Sequence, residues 1–204
     1  MSWPDHHSIL YALGTFLAGI AALMALPALA DFVTGNGNWT AFVAGMGLTG
    51  GAGGAMILAF RTRRKPVIGR REGFLLTTLT WIVVCAFSAL PLMLSDARLS
   101  FTDAYFEAMS GLTTTGSTVI VGLDHESHGL LLWRAMLHWV GGIGIIVLAV
   151  MMLPYLRVGG MQLFRTESSD KSDKIRARAS EVTWEIFSIY AVLTLLCAIA
   201  FTIA

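Results

Sequence analysis

Thr113-Thr114-Thr115-Gly116-Ser117-Thr118 is a run of small hydroxyl residues and one glycine, set between two long apolar segments. A short amphipathic stretch, Phe101 to Leu112, leads into it. The order helix, short helix, threonine–glycine turn, helix is how a re-entrant pore loop reads in sequence. Backbone away from helical geometry survives at membrane depth only where it is buried in protein or lines a watery cavity. In such a loop carbonyl oxygens can replace the hydration shell of a cation. The stretch therefore points to ion conduction, with potassium as the first expectation. The plainer reading is an ordinary outer loop with a polar turn.

The lead-in weakens that plainer reading. Ser100-Phe101-Thr102-Asp103 fits a capping box with Asp in its fourth place, so Ser100 can cap the first turn while Asp103 sits near the positive end of the helix dipole. Phe101, Tyr105, Phe106, Met109 and Leu112 recur at helical spacing and predict an apolar face. The helix predicted over 101–112 is too short to span the ~20 residues of a hydrocarbon core, so its C-terminal end stops inside the membrane, facing the threonine run. The negative end of its dipole favours a cation there. Gly116 supplies the backbone freedom that an inward-turning row of carbonyls needs.

Outward from this loop the chain reads as membrane throughout. Of its 204 residues 55% are hydrophobic and 13% charged, against about a quarter charged in a soluble domain; the mean hydropathy is +0.69. Five stretches are long and apolar enough to cross: Ile9 to Ala30, Trp39 to Phe60, Gly73 to Ser95, Ala135 to Leu156 and Ile186 to Ala204. The fold class is thus all-α integral membrane protein, with five transmembrane helices plus one re-entrant pore helix and filter loop. Residues Met1 to His7 lack a basic flank and the first apolar run is long, so no cleavable signal peptide is expected. Cys85 and Cys197 both lie within apolar runs and read as small apolar fillers, not a disulfide pair.

Charge sets the expected topology. Arg61, Arg63, Arg64, Lys65, Arg70 and Arg71 follow the second span, and Arg157, Arg165, Lys171, Lys174, Arg176 and Arg178 follow the fourth; together they are 12 of the 14 basic residues. By the positive-inside rule both loops are cytoplasmic, the N-terminus is cytoplasmic, and residues 96–129 enter from the outer face. Topology signalling suffices to explain the two loops; docking of a cytoplasmic partner or of anionic lipid is the sharper reading. Gly159-Gly160 and the run Thr166 to Asp170 suggest that the second of them is flexible and polar. The organisation expected is 1–60 as a two-helix N-terminal extension, 61–72 as a basic loop, 73–156 as a helix–pore loop–helix repeat with filter 113–118, 157–182 as a second cytoplasmic loop, and 183–204 as the first helix of a further repeat.

Several other groups look like chemistry and are read more plainly. Asp124-His125-Glu126-Ser127-His128 holds metal-capable side chains, but its histidines are three apart, not four, and an acidic, solvated pore mouth explains it better. His138 lies within a span, where a histidine is by default a functional candidate; one turn from Arg134, it reads as a hydrogen-bonded interfacial residue. A membrane-embedded metal-dependent enzyme using His138, His125 and His128 is the rival in another class, and a truncated, non-conducting scaffold a third. Gly141-Gly142-Ile143-Gly144 and the glycines of the second span read as close helix packing. Trp3, Trp39, Trp133, Trp139 and Trp184 fall near predicted span ends, as an aromatic belt does. Glu107, within the pore helix, has two possible partners, a basic side chain such as Arg134 or the filter backbone, and the sequence does not choose between them.

The stretch Phe106 to Thr118 resembles the first pore loop of the Trk/Ktr/HKT superfamily of potassium transporters, and within it the TrkH/TrkG potassium-uptake subunits. Arg71-Glu72-Gly73-Phe74-Leu75, Trp139 to Val150 and Val158-Gly159-Gly160-Met161-Gln162-Leu163 resemble the same subunits. The resemblance covers most of the chain from the third span onward, while the first two spans match chiefly in placement. It implies potassium uptake across a bacterial inner membrane, not an enzyme. Potassium is the metal and the substrate, bound by backbone carbonyls of Thr114 and Thr115, with Thr113, Gly116 and Ser117 as filter support. No covalent cofactor and no nucleic-acid partner are expected. It also implies a cytoplasmic nucleotide-binding regulatory subunit, for which residues 157–180 are the expected docking surface, and a homodimer in the bilayer. A complete member has four such loops around one pore and this chain has one. It is therefore expected to be the N-terminal portion of a longer protein, or to need other chains to complete the pore.

Overall fold

A computed structural model describes residues 6–61, 70–152 and 171–203, all of them helical or in short connections. Most of the first basic loop and residues 153–170, including the Gly159-Gly160 pair, lie outside the described residues, as does Trp3. Five helices are long and apolar enough to cross a membrane. The chain divides into two compact units, Met1–Gly141 and Gly142–Ala204.

In the first unit, α1 (His6–Leu23) and α2 (Ala25–Val33) form the first span, and α3 (Trp39–Ala59) the second. The sequence predicts one helix over 9–30; the structure divides it at Met24. Pro27 has no N–H to give to the preceding turn, which disturbs the ladder there. The same device recurs in the third span, where α4 (Arg70–Ser88) passes into the short α5 (Leu90–Leu94) across Ala89, with Pro91 in the first turn of α5. The connection from α2 to α3 is five residues, so the two spans are antiparallel neighbours. They lie close enough that a Cβ on Gly53 would sit 2.8 Å from the Gly14 carbonyl oxygen. Here, as expected, glycine allows backbones to approach.

Next comes α6 (Phe101–Leu112), with the boundaries expected from sequence, capped by Ser100. Its hydroxyl accepts from the Asp103 amide at 3.2 Å and donates to Asp103 Oδ2 at 2.7 Å. After a loop and a single 3-10 turn (Leu123–His125), α7 (His128–Met152) returns beside it. Leu17, Met24, Phe42, Cys85, Leu92 and Trp133 are fully buried at the centre of this unit. Trp133 departs from the expected aromatic belt. It is buried, and its Nε1 donates to the Ser88 carbonyl at 3.0 Å, tying α7 to α4. Trp39 and Trp184 are exposed, as belt residues would be. At one end of the unit three connections meet: the Asn38 Oδ1 accepts from the Asp96 amide at 2.9 Å, and Ser127 donates to Asp31.

In the second unit α8 (Lys171–Ile203) is 33 residues long. The sequence placed 157–182 in a loop; residues 171–182 are helical and continuous with the last span. Alanine, lysine, arginine and glutamate dominate that stretch and favour helix even without an apolar face. A Cβ on Gly142 would lie 2.8 Å from the Tyr190 hydroxyl, so α7 and α8 approach closely within this unit.

Candidate functional site

The site is built on the C-terminal half of α6 and the strand that returns from it. The face that α6 buries overlaps the predicted apolar one only in part: Leu112 is buried and Tyr105 and Met109 pack against the core. Ala104, Glu107, Ala108 and Gly111 are buried, while Phe101 and Phe106 are 56% and 43% exposed. Small residues let α6 lie close to its neighbours, while Phe101 and Phe106 turn outward, which lipid or further protein makes tolerable. On the buried face Gly111 meets Leu137, where an added Cβ would come within 2.9 Å of the Leu137 Cβ. Gly141 meets the Leu112 backbone so closely that a Cβ there would overlap the Leu112 carbonyl.

From Leu112 the chain turns in a few residues. The Thr113 amide donates to the Met109 carbonyl at 2.8 Å and the Thr114 amide to Gly111 at 2.9 Å. The Ser110 carbonyl then receives the Thr115 amide at 2.9 Å and the Gly116 amide at 3.4 Å. The Thr113 hydroxyl donates to the Met109 carbonyl at 2.8 Å and lies 2.9 Å from the Thr115 hydroxyl. Two residues here are left-handed, Gly116 at φ +79° and Thr114 at φ +58°. The first was expected. The second was not, because a β-branched residue in that region is strained and the sequence gives no sign of it.

Beyond the turn the strand is held from behind by α6. The Ser110 hydroxyl donates to the Ser117 carbonyl at 2.7 Å. Glu107, one helical turn earlier and 2% exposed, accepts on Oε1 from the Thr118 hydroxyl and from the Val119 amide, both at 2.6 Å. Its other oxygen lies 2.9 Å from Arg134 Nε. Neither of these two atoms makes an aligned hydrogen bond, so the contact is one of charge with charge. The structure therefore answers the choice left open for Glu107: it takes both partners, one on each oxygen.

The carbonyls of Thr114, Thr115 and Gly116 accept no hydrogen bond among the described residues, and all three residues are exposed. A short row of unpaired carbonyl oxygens thus sits at the C-terminal, negative end of α6, which suits a dehydrated monovalent cation. Ser117 differs, since its carbonyl already receives the Ser110 hydroxyl.

His138 stands beside this turn. Its Nδ1 lies 2.8 Å from the Arg134 carbonyl, which only accepts, so Nδ1 carries the proton. A Cβ on Gly116 would be 3.8 Å from its Nε2. Among the described residues no three metal-capable side chains gather, so His125, His128 and His138 do not form the metal centre of the enzyme alternative.

Asp31 is a residue that sequence reasoning missed. It ends the first span, is fully buried, and accepts from the Gly129 amide at 2.6 Å and the Ser127 hydroxyl at 3.0 Å. It thereby fastens the N-terminal pair of helices to the start of α7. Its partners lie 96 and 98 residues away, so only the presence of a lone acid at the end of an apolar run hinted at it.

Comparison with known proteins gives the family of the chain. The family model for TrkH, described as a cation transport protein, matches residues 41–204. The Trk system potassium uptake protein TrkH of Halomonas elongata is 46% identical over 199 residues, which cover 96% of this chain and 41% of the relative. The protein of the same name from Salmonella typhimurium is 42% identical, over 92% of this chain and 39% of its own length. The crystal structure of the potassium transporter TrkH from Vibrio parahaemolyticus superposes with a TM-score of 0.84 at 36% identity, covering 98% of this chain and 40% of that one. The chain spans about two fifths of the length of the curated relatives it matches.

Proposed function

From a chain that belongs to the TrkH family of cation transport proteins, we propose that it takes part in potassium uptake by supplying one of four segments of a selectivity filter. The family is one of transporters, not of enzymes. The observation that carries the proposal is the row of unpaired carbonyls at Thr114 and Thr115, at the negative end of a capped half-helix. In this reading those oxygens replace water around potassium, and selectivity follows from their number and placement. Thr113, Gly116 and Ser117 hold the row in shape: Thr113 through its hydroxyl, Gly116 through its left-handed backbone and Ser117 through Ser110. Four such segments around one axis make a closed ring of ligands; one does not.

The orientation follows from charge. We place the N-terminus and both basic loops in the cytoplasm of a bacterial cell, and the end where Asp31, Asn38, Asp96 and Ser127 meet at the outer face of the inner membrane. A cytoplasmic nucleotide-binding regulatory subunit docks on residues 157–180, and the complete transporter is a homodimer. Crosslinking from 157–180 that reaches no partner would remove the docking assignment.

The filter is tested by Gly116→Arg, with residues 1–204 set in the frame of a full-length family member. The parent restores growth of cells dependent on potassium uptake. Gly116→Arg places a cation and a side chain at a left-handed position beside the carbonyls, and growth at low potassium is expected to be lost while the protein still inserts. Unchanged potassium-dependent growth would falsify the filter assignment.

A further inference from the structure

We propose that Glu107 is the positioning residue that sets the cation preference of this filter segment, with Arg134 as its counter-charge. This inference rests on the filter reading above and adds a residue that touches no ion. The filter strand is held at two levels by one face of α6. Ser110, nearer the turn, fixes Thr115, Gly116 and Ser117. Glu107, one turn back, fixes Thr118 and Val119. Between these two anchors no other side chain, among the described residues, hydrogen-bonds the strand's backbone from behind. The distance between carbonyls in the row therefore depends on both anchors.

Glu107 is the stronger anchor. A carboxylate oxygen that accepts an amide and a hydroxyl at 2.6 Å makes two charge-assisted bonds, shorter and stiffer than neutral ones. Its charge is buried and needs compensation, which Arg134 supplies from α7 at 2.9 Å. Arg134 in turn offers its backbone carbonyl to His138 Nδ1, so the residue that balances Glu107 belongs to the same turn of α7 that borders Gly116. Potassium and sodium differ in size and in the carbonyl spacing that suits them. A strand released at Thr118 and Val119 can contract toward the smaller ion; a strand pinned there cannot. The consequence is a change in preference, which general weakening of the fold does not by itself produce.

The test measures potassium uptake in competition with sodium, in the same full-length frame, for Glu107→Gln and Thr118→Val beside Gly116→Arg. Glu107→Gln keeps an acceptor oxygen but removes the charge, and is expected to lower the preference for potassium over sodium by about tenfold. Thr118→Val removes one of the two bonds to Glu107 at an exposed position, together with the acceptor of the Ile120 amide, and leaves the Val119 amide on Glu107 and the Glu107–Arg134 pair in place. It is expected to lower the preference by about threefold with insertion unchanged. If Glu107→Gln is absent from the membrane, Thr118→Val decides alone: a lowered preference supports the inference and an unaltered one overturns it. If Gly116→Arg abolishes uptake while both other variants keep the parent's preference, the inference falls and the filter reading stands. If Gly116→Arg leaves uptake intact, the filter reading itself falls.

Discussion

Among the described residues two carboxylates are buried, Glu107 behind the segment that follows α6 and Asp31 beneath the start of α7, and they are compensated in different ways. Glu107 lies within a helix, where backbone amides are already spent, and it takes a full counter-charge from Arg134. Asp31 has no basic side chain within ion-pairing distance among the described residues; it lies at the N-terminus of α7, accepting from the Gly129 amide and the Ser127 hydroxyl. There the free amides and the positive end of the helix dipole, equivalent to about half an elementary charge, replace the cation. Their roles differ accordingly. Asp31 joins elements far apart in sequence and fixes where α7 begins. Glu107 shapes a loop twelve residues away and is held in place by α7. Both act on one helix, along which Gly129, Arg134, Leu137 and Gly141 meet in turn the first span, the Glu107 carboxylate, Gly111 and Leu112.

The largest expected difference comes from removing the cation. Arg134→Ala leaves the Glu107 charge buried and unpaired and should cost about 3–5 kcal/mol. Thermal unfolding in detergent checks this, and the double change Glu107→Gln with Arg134→Ala should recover part of the loss. If Arg134→Ala unfolds like the parent, the two carboxylates are compensated alike and the contrast is broken. Gly129→Ala comes next. Its Cβ would overlap the Asp31 carboxylate and lie 2.6 Å from the Pro27 carbonyl, so the cap must open, at a cost of about 1–3 kcal/mol by the same measurement. Ser127→Ala follows: it removes one donor from Asp31 and the acceptor of the Leu130 amide, and should cost about 1–2 kcal/mol. Ser127→Ala and Arg134→Ala share no partner, so their effects should add; coupling well above about 0.5 kcal/mol would join the two sites into one network.

Much of this architecture is legible in the sequence, because it rests on local signals. Five uncharged runs give the spans, and the Ser100–Asp103 box gives the start of α6 to the residue. The turn after Leu112 is announced by Gly116. What the sequence hides is what depends on distant partners or on inversion of a familiar pattern. Trp133 sits near the end of a predicted span and belongs by composition to a lipid interface, yet the Ser88 carbonyl and the core claim it. Phe101 and Phe106 look like core positions of α6 and are instead exposed in this unit, while Gly111, with no apolar side chain to offer, meets Leu137 of α7. Thr114 is left-handed, against its own preference, where its amide turns back to the Gly111 carbonyl and those of Thr115 and Gly116 to the Ser110 carbonyl. Asp31 is a single acid whose role appears only when residues 127–129 are brought beside it.

In the proposed filter the carbonyls of Thr114 and Thr115 bind the transported cation. The most direct test of this is rubidium soaked, in place of potassium, into crystals of a full-length family member carrying residues 1–204. The account predicts anomalous density in contact with the carbonyl oxygens of Thr114 and Thr115, lost in Gly116→Arg. Rubidium bound elsewhere along the pore, with none at these two residues, would contradict it.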